Sequence, residues 1–429
     1  MFTWPLVVAL LFSYLPPRRA VVWSMLGAWM FLPTASYSLQ GLPDITKTSL
    51  TCVSILLCCI IFDPRRIAGF RFFLLDLFLV LWILAPIPAH VFSPYGLYEG
   101  LGISLNQIVS WGIPYSIGRL YFPTTDGLNE LAFAFVIAGL VYLPLVLLEV
   151  RFSPNLHYWI YGSHQHSFGQ TRRLGGFRPM VFMQHGLAVA LFMGTACLCG
   201  IYLWWKATLR PILSLPPILI VISLIIGTLL CKSSYAIILT CLSSGILLMS
   251  GRLNTKLLII GLAIVAPTYL FSRLFLGWDA QILRDVANSM GEEREGSLAV
   301  RLNSENALIK WVQPHLYFGR ARLEELMNAP REAWGRFIPD GFWVIALGKY
   351  GLLGLVSSYC VMLAPVFVFL RRISVDHMFT SKFSGATVLC VVLAMYALDN
   401  LLNAMHNPIY IFVAGGLISL QDDTFDSLD

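Results

Sequence analysis

Residues 184–206 read QHGLAVALFMGTACLCGIYLWWK, and from Gly186 to Trp205 the run holds no Asp, Glu, Lys or Arg. A helix of about 20 apolar residues rises about 30 Å, enough to cross a hydrocarbon core. With no water there to satisfy the backbone, a helix is the structure such a run must take. Comparable runs lie to either side, near 2–15, 20–33, 49–62, 69–92, 101–122, 127–150, 212–231, 234–250, 255–276, 341–370, 383–401 and 405–420. The sequence therefore predicts an all-α polytopic membrane protein with about 12–13 transmembrane helices.

Composition agrees. Of 429 residues 57% are hydrophobic and 12% charged, with a mean hydropathy of +0.73. A soluble chain carries roughly 25% charged residues. Disorder, collagen, coiled coils and secreted disulfide scaffolds are excluded. The net charge of +6 is spread in short clusters between apolar runs, a pattern of membrane topology rather than of nucleic-acid binding. The nine cysteines, Cys52, Cys58, Cys59, Cys197, Cys199, Cys231, Cys241, Cys360 and Cys390, all fall in apolar runs. They read as small hydrophobes, so no cofactor and no metal is expected. The N-terminus lacks the basic flank and cleavage site of a signal peptide.

Basic residues in short loops tend to stay cytoplasmic. Alternate loops collect Arg18, Arg19, Arg65, Arg66, Arg119, Lys206, Arg210, Arg252, Lys256, Arg371, Arg372 and Lys382 on one side, and Lys47, Arg151, Arg172, Arg173, Arg178 and Lys232 on the other. This predicts an external N-terminus, a cytoplasmic C-terminus, and two long extracytoplasmic loops, 151–183 and 277–340. The chain then divides into a bundle over 1–276, a helical outer loop over 277–340, and C-terminal helices with a short tail over 341–429.

The loop from Arg151 to Phe182 contains four arginines and no Lys, Asp or Glu. Guanidinium groups match phosphate oxygens bidentately and keep their charge, so Arg172, Arg173 and Arg178 are candidate ligands for a diphosphate. The alternatives are nonspecific headgroup contacts or pairing with acids of the second loop. His157, His164, His166 and His185 crowd the same region. His164 and His166 could form a metal pair but read better as interfacial histidines, and His185 is the candidate for proton handling or sugar binding. The second loop holds ten acids and eight bases, and RLNSENALIKWV at 301–312 can turn Leu302, Leu308, Trp311 and Val312 toward the bundle before Pro314 and Gly319 end it. A second helical run is expected from Ala321 to Trp334. Ionisable residues inside apolar runs, Arg71, Asp76, Glu149, Lys232, Arg273 and Asp399, are expected to face the interior or pair with one another.

Asp340-Gly341 is followed by nine residues, Phe342 to Tyr350, and then by Gly351-Leu352-Leu353-Gly354. This is similar to the motif of His, an Asn, Ser or Gln, nine residues and Gly-x-x-Gly that closes the large loop in the O-antigen ligase and O-antigen polymerase superfamily. Arg301, Trp311, Pro314 and Gly319 follow the order of that family's large-loop helix, and residues 173–179, RLGGFRP, resemble its arginine-bearing first outer loop. The motif's His and its amide or hydroxyl residue are replaced here.

The resemblance implies a fold related to the multispanning glycosyltransferases that use lipid-linked donors. It implies metal-independent transfer of a glycan from undecaprenyl diphosphate to a saccharide acceptor on the outer face of a bacterial inner membrane. Arg172, Arg173, Arg178 and Arg301 would hold the diphosphate. Asp340 or His185 would serve the acceptor, and Trp159, Tyr161, Trp311 and Trp343 would line the sugar path. Asp340 in the place of the motif His leans toward a polymerase rather than a ligase, and it reads equally as a helix N-cap. The expected partners are the lipid-linked donor, the acceptor, membrane lipids and other polysaccharide-assembly proteins, with no nucleic acid. A lipid-linked oligosaccharide flippase or transporter is the rival reading, and a non-catalytic subunit a third.

Overall fold

The computed structural model describes residues 1–38, 43–166, 168–173, 175–282, 284–285, 292–328 and 337–420. It is all-α and multi-pass. Among the described residues seven helices are long and apolar enough to span a membrane: Leu74–Val91, Thr125–Phe152, Gly186–Trp205, Ser234–Arg252, Leu257–Phe275, Phe342–Arg372 and Ser384–Leu402. Four shorter apolar helices accompany them, Trp4–Tyr14, Lys47–Phe62, Pro217–Leu230 and Pro408–Ile418. Several of the other expected spans are helices shorter than the sequence runs suggest. Prolines start several of the short helices late, at Pro17, Pro217 and Pro408, and a 14-residue helix such as Pro217–Leu230 rises only about 21 Å. Near 101–122 the expected span is a helix from Gly96 to Tyr121 with a π-helical turn at Ile108–Gly112.

Gly186–Trp205 and Ser384–Leu402 lie at the centre, with 89% and 94% of their apolar windows buried. Where helices cross most tightly the contact residues are small: Gly118 meets the Phe412 carbonyl and Gly415 the Tyr115 carbonyl. The two basic sets separate to opposite ends. At one end Arg19 pairs with Glu130 at 2.6 Å, Asn129 donates to the Lys382 carbonyl and Lys256 to that of Leu370. The other end carries Lys47, Arg173, Arg178 and Lys232.

That second end is covered by the outer loop. Its helix spans Glu292–Val312, beginning earlier than the sequence predicts, and Leu302, Leu308, Trp311 and Val312 are all buried. Arg273, at the end of Leu257–Phe275, fastens this helix: its guanidinium donates to Glu305 at 3.0 Å and to Asn306 at 2.9 Å, and Tyr269 donates to Glu305 at 2.7 Å. Among the described residues of the run expected over Ala321–Trp334, Glu324–Met327 is helical; 329–336 lie outside the described residues, as does the tail from 421.

The long helix Phe342–Arg372 is broken at Gly351, where φ is +62° and ψ −157°. The loop backbone fills the break. Leu352 N–H donates to the Leu316 carbonyl at 2.8 Å and Leu353 N–H to that of Tyr317 at 3.1 Å, while Gly348 and Lys349 carbonyls accept from Arg320 and Ala321. Non-helical backbone at membrane depth is tolerated only where protein satisfies it in this way. Gly319 and Gly351 cross so closely that a Cβ on either would stand 2.5 Å from the other strand's backbone.

Candidate functional site

The arginine loop is held from below by one carboxylate. Glu149, buried near the end of Thr125–Phe152, accepts from Leu156 N–H at 3.1 Å through Oε1 and from Met180 and Val181 N–H at 2.8 and 2.7 Å through Oε2. Both ends of the loop are thereby tied to one side chain. Tyr142 accepts from Phe182 N–H at 3.1 Å, and Lys47 donates to the Phe182 carbonyl at 3.2 Å. His157 is a further strut, accepting from Thr34 N–H through Nε2 and engaging the Ser163 carbonyl through Nδ1. The loop tip is an antiparallel pair of two-residue strands, Arg172–Arg173 and Gly176–Phe177.

This framework gathers cations. Arg178 is buried; its backbone N–H donates to Thr171 and its Nη2 to the Lys232 carbonyl at 3.2 Å. Its stem lies against Gly186. Lys232, in a left-handed turn with φ of +49°, brings its ammonium over Gly176, the strand partner of Arg173. Arg301 approaches from the outer-loop helix, donating to Asp340 at 3.1 Å. Burial and the charges of Arg173 and Arg301 push Arg178 down to about 10, so it remains a cation at neutral pH.

His185 sits among them as the residue preceding the buried helix Gly186–Trp205. Burial, then the charges of Arg178, His166, Arg173 and Arg301, push it down to about 4. It is neutral at pH 7. Its Nδ1 accepts from Leu187 N–H at 3.0 Å, capping the helix, so the ring proton belongs on Nε2. That tautomer donates a hydrogen bond and is a poor base, which changes the proton-handling role the sequence predicts for it. His166 packs edge-on to His185 at 5.1 Å, whereas His164 stacks on Tyr158 at 4.8 Å, so the two do not converge as a pair. No group of three His, Cys, Asp or Glu side chains gathers among the described residues. Cys241 is exposed and Cys360 half-buried, unlike the other seven cysteines, which are buried.

Asp340 does not cap the following helix. Gly341 holds the N-cap position without a side-chain bond, and Phe342 N–H is met by the Asn403 carbonyl at 3.2 Å. The carboxylate of Asp340 is thus left to Arg301. Beneath the pair a cavity of about 10 Å³ is lined by Arg301, Glu305, Asp340, Gly341 and Leu401. It has room for about one water. Deeper still, Asp399 accepts from Asn403 at 2.7 Å, within electrostatic reach of Arg301.

The aromatic residues do not form one path. Trp159 and Tyr161 lie on the short helix Leu156–Tyr161, with Trp159 exposed and the Tyr161 hydroxyl bound to the Phe31 carbonyl at 2.6 Å. Trp311 is buried with the Arg320 guanidinium 4.8 Å from its ring, and Trp343 is wholly buried, edge-on to Tyr269. Arg172 is exposed on the loop tip. Of the ionisable residues expected to face the interior or pair with one another, Arg71 is exposed, while the buried Asp76 bonds Arg119 and Tyr115. Lys232 and Glu149 were visible in the sequence only as ionisable groups in apolar runs. No family model matches the chain, and no curated protein or solved structure matches it.

Proposed function

We propose that the chain is a glycosyltransferase of the bacterial inner membrane that moves a glycan from undecaprenyl diphosphate to a saccharide acceptor on the outer face, as a polymerase or ligase. The observation that carries this reading is the gathering of Arg173, Arg178 and Arg301 around a neutral His185, with the Lys232 ammonium over Gly176 beside them and Asp340 on Arg301. Such a cluster suits a doubly charged phosphate ester. The acceptor oxygen attacks the anomeric carbon, the bond from that carbon to the diphosphate oxygen breaks, and charge grows on the diphosphate, where the guanidinium groups stabilise it. The diphosphate also competes with Asp340 for Arg301. Its binding frees the Asp340 carboxylate to take the acceptor hydroxyl's proton. His185 Nε2–H donates to the sugar or the phosphate. Asp340 in place of the motif His favours the polymerase.

The test is reconstitution of the full chain with an undecaprenyl-diphosphate-linked oligosaccharide and a glycan ladder as readout. Arg178→Gln and Arg301→Gln are expected to slow lengthening roughly 10²–10³-fold, the usual cost of one donor to a developing oxyanion. An unaltered ladder from inserted protein overturns the proposal. A flippase is the second reading, favoured by a cavity of about 960 Å³ at the opposite end, among Arg19, Trp23, Glu130 and Arg210. Translocation of the lipid-linked sugar between leaflets without lengthening would establish it.

A further inference from the structure

A second basic cavity, of about 540 Å³, opens at the end of the bundle opposite the arginine loop. It lies between the turn after Lys47–Phe62, the irregular segment before Leu74, and the end of Ile113–Tyr121. Four arginines line it: Arg65, Arg66, Arg71 and Arg119. Two of these are answered. Arg66 donates to Asp63 at 3.1 Å and to the Leu120 carbonyl at 3.0 Å, and Arg119 pairs with the buried Asp76 while Phe70 and Phe73 cover its guanidinium at 4.7 and 4.2 Å. Arg65 and Arg71 are exposed and enter none of the ion pairs among the described residues. Among the described residues the cavity therefore carries two guanidinium groups outside any ion pair beside two whose positions are fixed.

What borders the cavity points to the source of the anion. Phe72 is 62% exposed and Leu74 83%, with Ile61 at 70% on the neighbouring helix. Apolar side chains this open beside a ring of arginines fit a ligand with an anionic head and hydrocarbon tails. Leu74 opens the spanning helix Leu74–Val91, which sets the cavity at the bilayer edge, where lipid headgroups are the anions at hand. Aromatic and basic residues adjoining at a bundle end are also what a bilayer interface selects.

We propose that this cavity binds the phosphate headgroup of an anionic glycerophospholipid, with Arg65 and Arg71 as its ligands and Phe72 and Leu74 against the acyl chains. The site is separate from the cation cluster of the proposed transferase and does not depend on that reading. The test uses the full chain in nanodiscs of phosphatidylcholine with increasing phosphatidylglycerol, counting retained lipid by native mass spectrometry. An Arg65→Gln/Arg71→Gln variant is expected to weaken retention about 30-fold, from roughly 1 kcal/mol for each basic residue at a charged interface. Arg371→Gln/Arg372→Gln removes the same charge from exposed positions at the same end and is expected to leave retention within threefold. Unfolding midpoints in phosphatidylcholine alone check that both variants fold. Equal losses in the two variants, or displacement of the lipid by soluble glycerol phosphate, overturn the proposal.

Discussion

Glu149 is the side chain on which the arginine loop depends, and its replacement gives a graded test of that dependence. Its carboxylate takes three backbone N–H groups, two of them from consecutive residues, all in a buried setting. A hydrogen bond to a charged group is worth about 1.5–3 kcal/mol, and a buried amide left unmet costs about 1–3 kcal/mol. Glu149→Gln keeps one oxygen for Met180 and Val181 but turns an amide NH₂ toward Leu156 N–H, so it forfeits one bond and weakens two. The expected loss is about 1.5 kcal/mol of local stability, or roughly tenfold more frequent opening of the loop. Glu149→Ala leaves three amides unmet, and even with water entering the cost is at least about 3 kcal/mol, more than a hundredfold. Trypsin under conditions where reclosing outruns cleavage reads this directly, because the loop carries its own sites at Arg172 and Arg173. Hydrogen exchange at 178–185 reads it independently. Cleavage rates should order as wild type, then Gln, then Ala, while exchange in Ser384–Leu402 stays unchanged. Equal cleavage in all three would refute the claim that this carboxylate sets the loop's position.

Two further outcomes follow from the geometry around the site. Gly351→Ala forces a Cβ into a backbone region open almost only to glycine, and 2.5 Å from Tyr317, so it should cost at least about 2 kcal/mol and lower the unfolding midpoint. Gly261→Ala, with open space around its position in a regular helix, should not lower it. His185 titrates near 4 in the fold against about 6.5 when exposed, so its contribution to stability is complete above about 6.5 and fades as pH falls toward 4. The upper bound on that loss is about 2 kcal/mol by pH 5. His185→Asn keeps a capping side chain and should flatten the acid side of a midpoint-against-pH curve; a curve superimposable on wild type would count against the assignment.

The fold was legible wherever apolar length alone decides structure. Residues 184–206 and 383–401 announced the two central helices because no charge falls between Gly186 and Trp205 and the other run carries one, Asp399, near its end. Helix length departed from the reading where proline, rather than hydropathy, sets the helix start: Pro217 and Pro408 trim apolar runs to helices of 14 and 11 residues. A sum over side-chain hydropathy does not register a missing N–H. Trp343 misled for a related reason. It was expected on the sugar path with the other aromatic residues, but the helix start at Phe342 turns it inward against Tyr269.

The site was half legible, and the division has a physical basis. Uncompensated charge is a property of composition, so four arginines without a nearby acid could be read from residues 151–182 directly. Position is a property of partners, and the partners are remote: Glu149 is 31 residues from Met180, Arg301 is 39 from Asp340, and Lys232 is 54 from Arg178. None of these distances follows a helical or strand period. They arise because two buried helices, Gly186–Trp205 and Ser384–Leu402, end at the same level and leave their polar termini, His185 and Asn403, for the loops to cover. The cations are held in place by different means: Arg178 donates to a neutral carbonyl, Lys232 lies over a glycine, and Arg301 shares one half-exposed carboxylate that offsets part of its charge. The repulsion left among them is the free energy an incoming dianion would recover on binding.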